Sequence, residues 1–309
     1  MVESTPYRRQ YVFTEGKLFL KYHVIVNGAK LRGKNARKLR AAEKIFSGAG
    51  LDYTVHRTER KGHESEITKA VTGGGGENCI IVMGGDGTLH KVLNSFENFE
   101  NNCLALIPLG TGNDFAAAAG IPRNVKKAAK LIATKNAGFV DFIEFSNGLR
   151  SINAAGAGID VDVLNRVYDR DGRKKSSYFR AFVKSLIKFE SIDYTVNYDG
   201  NERTSHGLIA LVGNGRQIGG GIKVCPAADV ADGMLDVLII DYISRIKLIG
   251  AFTMLMLGKL DKVKQVTAAK CKSVTFTFGG SRTVQADGEL YDGIKFEARI
   301  VENKLKFIR

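Results

Sequence analysis

Apolar and polar positions follow two different rhythms along this chain. In the first half, Tyr22–Asn27 (YHVIVN), Leu51–Thr58, Cys79–Met83 (CIIVM) and Leu104–Pro108 read as strands. CIIVM is continuously apolar, the pattern of a strand covered on both faces. Between these runs, Asn35–Ala49, His63–Val71, Leu89–Phe96 and a segment from Asn113 into Ala119 carry helical spacing. Leu89, Val92, Leu93 and Phe96, for example, fall on one helix face. The alternation predicts an α/β domain with a parallel sheet and helices on both sides.

Beyond residue 140 the rhythm changes. Phe139–Phe145, Ile192–Tyr198, Gly207–Gly213, Leu235–Asp241, Ser273–Phe278 and Lys295–Val301 are short and β-prone, many of them bounded by Gly, Asp or Asn. That texture predicts an antiparallel sandwich or barrel, interrupted by helices near Tyr178–Phe189 and Ile246–Leu257. The expected division is an α/β domain over residues 1–142 and a β-sandwich over 143–309, with the C-terminal tail packing back on the first domain. A length of 309 residues suits two such units.

Composition narrows the partners. Lys plus Arg number 46 against 32 Asp plus Glu, a net charge of +14, which favours polyanions: nucleotides, anionic membranes or nucleic acid. Basic residues gather at Lys30–Arg40 and Arg166–Lys188. No zinc-finger spacing, RNA-binding aromatic signature or basic region leading into heptads accompanies them, so no nucleic-acid partner is expected. The four cysteines form no CxxC pair and read as reduced, buried and cytosolic. The N-terminus lacks the apolar core of a signal peptide, and the longest apolar stretch, Leu248–Gly258, is too short to span a bilayer. A cytoplasmic protein that docks peripherally on the inner face of a membrane is therefore expected.

The chemistry concentrates at strand ends. GGDGTLHKVLN (Gly84–Asn94) places three glycines, an acid and a threonine between a buried strand and a helix. Glycines let backbone approach a phosphate, and the helix start offers free N–H groups and a positive dipole end. Asp86 can reach a hydrated Mg²⁺, and Thr88 can cap the helix or bind a phosphate oxygen. The ending is neither that of a Walker A loop nor a GxGxxG fingerprint. One strand later, LALIPLGTGNDF (Leu104–Phe115) repeats the arrangement. Ligands of open parallel sheets bind beyond the carboxyl ends of strands, so the two turns should face one crevice.

GGDGT followed by PLGTGNDFA resembles the diacylglycerol kinase catalytic domain family, which includes bacterial lipid kinases, with sphingosine and ceramide kinases alongside and NAD kinases more distant. The resemblance runs nearly the whole chain: VNGAKLRGK around Asn27, Thr58–His63, Asn153–Gly158, Gly213-Asn214 with Gly219–Gly221, Pro226-Ala227-Ala228, Asp232–Asp236 and finally Asp287-Gly288-Glu289. It implies an active site between the two domains and an ATP site formed by Asn27, Thr58, Gly84, Gly85, Asp86, Gly87, Thr88, Leu89, His90, Thr111, Asn113 and Asp114. It implies Glu289 as general base for a lipid hydroxyl with Asp287 beside it, and a structural Mg²⁺ at Asp229, Asp232 and Met234. Asp86, Asp114 and Asp287 would tie the metal–water network together. The implied activity is γ-phosphoryl transfer from ATP to a lipid, diacylglycerol by default, with Mg²⁺ as cofactor. A homodimer is compatible with it.

Other acceptors stay open: a sphingoid base, monoacylglycerol, undecaprenol, phosphatidylglycerol, or NAD. So does a regulator that binds nucleotide or lipid without turnover. Three positions depart from the family pattern. Gly28 replaces a proline and should loosen the first turn. Lys91 stands where an acid is common, and Ala117 where an arginine is frequent.

Overall fold

A computed structural model describes residues 21–167, 178–189 and 191–309. Part of the basic stretch Arg166–Lys188 therefore lies outside the described residues. The first unit runs β1 (Lys21–Asn27), α1 (Lys34–Gly48), β2 (Tyr53–Thr58), α2 (His63–Gly73), β3 (Asn78–Gly84), α3 (Asp86–Asn94), β4 (Asn102–Pro108), α4 (Asp114–Ala118), α5 (Val125–Ala133) and β5 (Ala137–Phe145). Strands β2, β1, β3 and β4 lie side by side and parallel. Covered on both faces, β3 and β4 bury nearly every residue, as their unbroken apolar runs require.

The second unit contains β6 (Arg150–Ser151), β7 (Ala154–Gly158), α6 (Ile159–Val167), α7 (Tyr178–Lys188), β8 (Ile192–Tyr198), β9 (Asn201–Gly213), β10 (Leu235–Asp241), α8 (Arg245–Met256), β11 (Val266–Cys271), β12 (Ser273–Phe278), β13 (Val284–Ala286), β14 (Glu289–Tyr291) and β15 (Phe296–Ile308). Its strands pair antiparallel around a separate core that includes Ile143, Val212, Val237, Phe276 and Phe296. The architecture is a parallel α/β domain joined to a β-sandwich.

The seam is β15. Its first residues pair with β12, its last, Lys306–Ile308, extend the parallel sheet beside β4, and β5 runs antiparallel to it along nearly its full length. A register shift between Val301 and Leu305, with Asn303 in the left-handed region, turns the strand from one core to the other. Hydrogen bonding thus passes from one domain into the other without a break, which holds the facing strand ends in a fixed relation.

The Gly28 expectation is overturned. A Cβ at this position would stand 2.5 Å from the Thr58 carbonyl oxygen, so glycine here lets the ends of β1 and β2 close together. The turn is tight, not loose.

Candidate active site

The carboxyl ends of β1, β3 and β4 open into a cleft of about 1510 Å³ whose far wall comes from the second domain. The two glycine-rich turns form its floor and touch backbone to backbone. A Cβ on Gly110 would stand 2.8 Å from the Gly85 Cα and 2.8 Å from the Asn113 Oδ1. Asn113, in the left-handed region, fastens its own turn by donating from Nδ2 to the Gly110 carbonyl at 2.7 Å. No side chain caps α3: the N–H groups of Thr88 and Leu89 donate to the Gly85 carbonyl, each at 3.1 Å, which leaves those of Asp86 and Gly87 for a ligand.

Asp86 begins α3 at the cleft floor. Its Oδ1 is buried and accepts no hydrogen bond. Burial first, then the charges of Asp114 and Asp287, push its pKa up to about 6, although backbone N–H groups at Asp114 and Phe115 pull the other way. Such a group gains most from a nearby cation. Asp114 is fixed from the second domain: its Oδ1 accepts from Gln217 Nε2 and its Oδ2 from the Gly220 N–H, both at 2.8 Å.

The opposite wall is the Asp287-Gly288-Glu289 turn between β13 and β14. Asp287 has φ 51° and a side chain 1% exposed, yet its carboxylate is saturated. It accepts from Ser151 Oγ at 2.7 Å, from the N–H groups of Ile152, Asn153 and Ala154 at 2.9, 2.9 and 3.2 Å, and from His90 Nδ1 at 2.9 Å. Burial alone would raise its pKa, but the His90 hydrogen bond and charge, with help from Ile152 and Ser151, outweigh burial and hold it below the ordinary value. Glu289 differs in kind. Its carboxylate makes no hydrogen bond among the described residues, the residue lines the cleft, and its Oε1 lies 3.1 Å from where a Cβ on Gly87 would be.

Asn27, Gly85, Asp86, Gly87, Thr88, Thr111, Asp114, Asp287 and Glu289 all line this cleft. Others among the implied residues do not. Leu89 is buried in the first core because its helical phase points at the sheet. His90 is 1% exposed, linking Asp287 to the Tyr291 hydroxyl, which lies 2.6 Å from its Nε2. The Thr58 carbonyl closes against Gly28, the Gly84 carbonyl accepts from the Leu109 N–H at 2.7 Å, and Asn113 acts within its own turn.

The Asp229, Asp232 and Met234 loop is also absent from the cleft lining. Asp232 Oδ2 lies 2.7 Å from the Lys270 ammonium, which also reaches Asp236 at 2.8 Å, while Asp232 Oδ1 accepts from the Met234 N–H. Asp229 Oδ1 accepts from the Ala231 N–H. With a lysine supplying the cation, these residues do not fit a resident Mg²⁺. No cluster of three or more His, Cys, Asp or Glu residues poised for a metal occurs among the described residues. The orphaned Asp86 oxygen beside Asp114 does fit a Mg²⁺, which these two carboxylates would hold.

Sequence reasoning missed Asp160, at the start of α6. It is 4% exposed, and neither carboxylate oxygen has a hydrogen-bond partner. Burial raises its pKa to about 6, against smaller lowering contributions from Gln285 and the helix-start N–H groups. Asp160 and Ile218 line both the cleft and a second, almost wholly apolar cavity formed with β9, β10 and α8. An acid inside the apolar run GIDVDV was the available signal.

The geometry is a two-domain cleft with a glycine-rich floor and an acidic far wall. Residues 21–145 match the diacylglycerol kinase catalytic domain, and residues 153–309 match the YegS C-terminal NAD kinase beta sandwich-like domain. The chain is 31% identical over 302 residues to the "probable lipid kinase YegS-like" of Stenotrophomonas maltophilia, covering 93% of this chain and 95% of that one. It is 30% identical over 256 residues to a diacylglycerol kinase of Mycobacterium tuberculosis, 80% and 82% of the two chains. A diacylglycerol kinase structure from Bacillus anthracis shares the fold, with a TM-score of 0.75 at 22% identity over 95% of this chain and 98% of that one. The chain belongs to the YegS and diacylglycerol kinase family of ATP-dependent lipid kinases. Among the described residues no helix is long and apolar enough to cross a membrane.

Proposed function

We propose that this enzyme transfers the γ-phosphoryl group of ATP to the free hydroxyl of diacylglycerol, giving phosphatidic acid, at the cytoplasmic face of a membrane. The observation that carries the lipid reading is the apolar cavity behind Asp160. Its lining is hydrophobic apart from that one carboxylate, and it meets the phosphate-binding cleft at Asp160 and Ile218. An acceptor with an apolar tail and a hydroxyl head suits such a junction; a dinucleotide has no part that needs it. The cavity holds only about 60 Å³, the space of about two waters, so α8 must yield for an acyl chain to enter.

On this reading the uncapped N–H groups of α3 and the Gly110–Gly112 turn hold the triphosphate. A bound Mg²⁺ would neutralise phosphate charge, held through Asp86 and Asp114. Glu289, free of other partners and facing the floor, accepts the proton of the acceptor hydroxyl as its oxygen bonds to the γ-phosphorus and the bond to ADP breaks. Asp287 is too well paired to take a proton; it holds the turn that presents Glu289. The four free, buried cysteines accord with a reducing compartment.

The decisive experiment incubates the pure protein with γ-labelled ATP, Mg²⁺ and separate acceptors: diacylglycerol, monoacylglycerol, a sphingoid base, undecaprenol, phosphatidylglycerol and NAD. Labelled phosphatidic acid is the expected product. Label in NADP, or in no lipid, overturns the reading.

A further inference from the structure

We infer that α8 and the turn that follows it form the surface by which this enzyme docks on an anionic bilayer. The inference rests on the lipid-kinase reading and names where that kinase meets its substrate. A surface helix of a soluble domain ordinarily turns polar residues outward. Helix α8, RIKLIGAFTMLM, carries only three, Arg245, Lys247 and Thr253. One face is accounted for: Leu248, Ala251, Phe252 and Leu255 wall the apolar cavity.

Among the described residues the outward side is left exposed. Six large hydrophobic residues are exposed among those described, and five of them lie here. They are Tyr242 (56%), Ile246 (89%), Met254 (38%), Met256 (53%) and Leu257 (62%). Single exposed apolar residues are ordinary, but this concentration in one segment marks an interaction surface. The sixth, Leu290, lies in the catalytic cleft.

Charge identifies the occupant. Lys247, Lys259, Lys262 and Lys264 are all exposed in the same stretch, residues 242–264, in which Asp261, 3.5 Å from Lys262, is the one acid. Apolar side chains rimmed by lysines match the acyl and headgroup layers of an anionic membrane, where long cationic side chains reach back to the phosphates. A second copy of the same face would bring the lysine rims together and be repelled. Because the buried side of α8 is a wall of the acceptor cavity, docking places that wall at the bilayer surface. Outward movement of the helix would then open the cavity toward lipid rather than water.

The test uses the full chain with vesicles of phosphatidylcholine alone or mixed with phosphatidylglycerol, read by co-sedimentation at low and high salt. Wild type should sediment with the mixed vesicles and lose binding as salt rises. Joint Ile246→Glu, Met256→Glu and Leu257→Glu substitution should weaken binding at least about tenfold with an unchanged melting temperature. Joint Lys247→Gln, Lys259→Gln, Lys262→Gln and Lys264→Gln substitution should bring mixed-vesicle binding down to the level on phosphatidylcholine. The glutamate variant should phosphorylate a short-chain, water-soluble diacylglycerol as well as wild type does, and lose activity only on bilayer-embedded acceptor. Unchanged vesicle binding in both variants overturns the proposal, as does a dimer that the glutamate variant dissociates while vesicle binding persists. Sedimentation does not depend on turnover, so docking is decided even if no lipid is phosphorylated.

Discussion

The cleft holds buried carboxylates in two opposite states. On the second-domain wall, Asp287 is surrounded by five donors and stays ionised despite its burial. On the floor, Asp86 is less deeply placed and has one buried oxygen with no partner; at the back edge, Asp160 is fully buried with two, and the pKa values of both rise to about 6. Burial is common to all three. Hydrogen-bond supply separates them, and it separates their uses: a saturated carboxylate fixes structure, whereas an unsatisfied one awaits a ligand.

The largest expected effect follows from breaking the saturated side. Asp287→Ala leaves Ser151, three backbone N–H groups and His90 without their common acceptor. It should cost about 3–5 kcal/mol of stability, measurable by urea denaturation, and abolish activity with it. Glu289→Gln probes the same turn at its unpaired residue. Turnover should fall about 10²–10⁴-fold while ATP affinity and unfolding midpoint hold within error; near-normal turnover would remove Glu289 as the base.

Asp160→Asn tests the unsatisfied side through pH. The folded-state pKa of Asp160 lies above its unfolded value, so the folded protein binds the extra proton. Its contribution is therefore most favourable below pH 4 and declines as pH rises through 6. The asparagine variant should gain on wild type across that window by up to about 3 kcal/mol, and a gap that is flat with pH would refute the assignment. The smallest effect belongs to Lys91, which pairs with Glu64 at 3.2 Å on the cleft rim. Lys91→Ala should change stability by less than about 1 kcal/mol, and any effect on ATP affinity should fade with salt.

Much of the fold was legible because its signals are local. CIIVM and LALIP announce buried strands, and Ile192–Tyr198, Leu235–Asp241 and Ser273–Phe278 fall where their alternation puts them. The segments that escaped lack such signals. Ala154–Gly158 (AAGAG) has no apolar period, since its small side chains serve close packing against β9. Ile159–Val167 has a strand's alternation at IDVDV but forms helix α6. Strand β15 continues past the polar stretch Glu302–Lys304, where its register shifts, because β5 pairs with it on both sides, at Val301 and again from Leu305.

The site divides in the same way. The glycine turns and Glu289 could be placed from motifs alone. That His90 serves Asp287, that Lys270 occupies the Asp232 carboxylate, and that Asp160 joins cleft to cavity are facts of long-range contact. No spacing in the chain encodes them.

The seam strand bears on how the chain acquires its structure. Until Lys306–Ile308 emerge, β4 has no neighbour on its outer side, so the cleft floor rests on an open-edged sheet while the second domain is being synthesised. The first domain cannot mature on its own schedule. Such a delay exposes an apolar strand edge, and removing the last residues should leave a protein that aggregates rather than one that merely works less well.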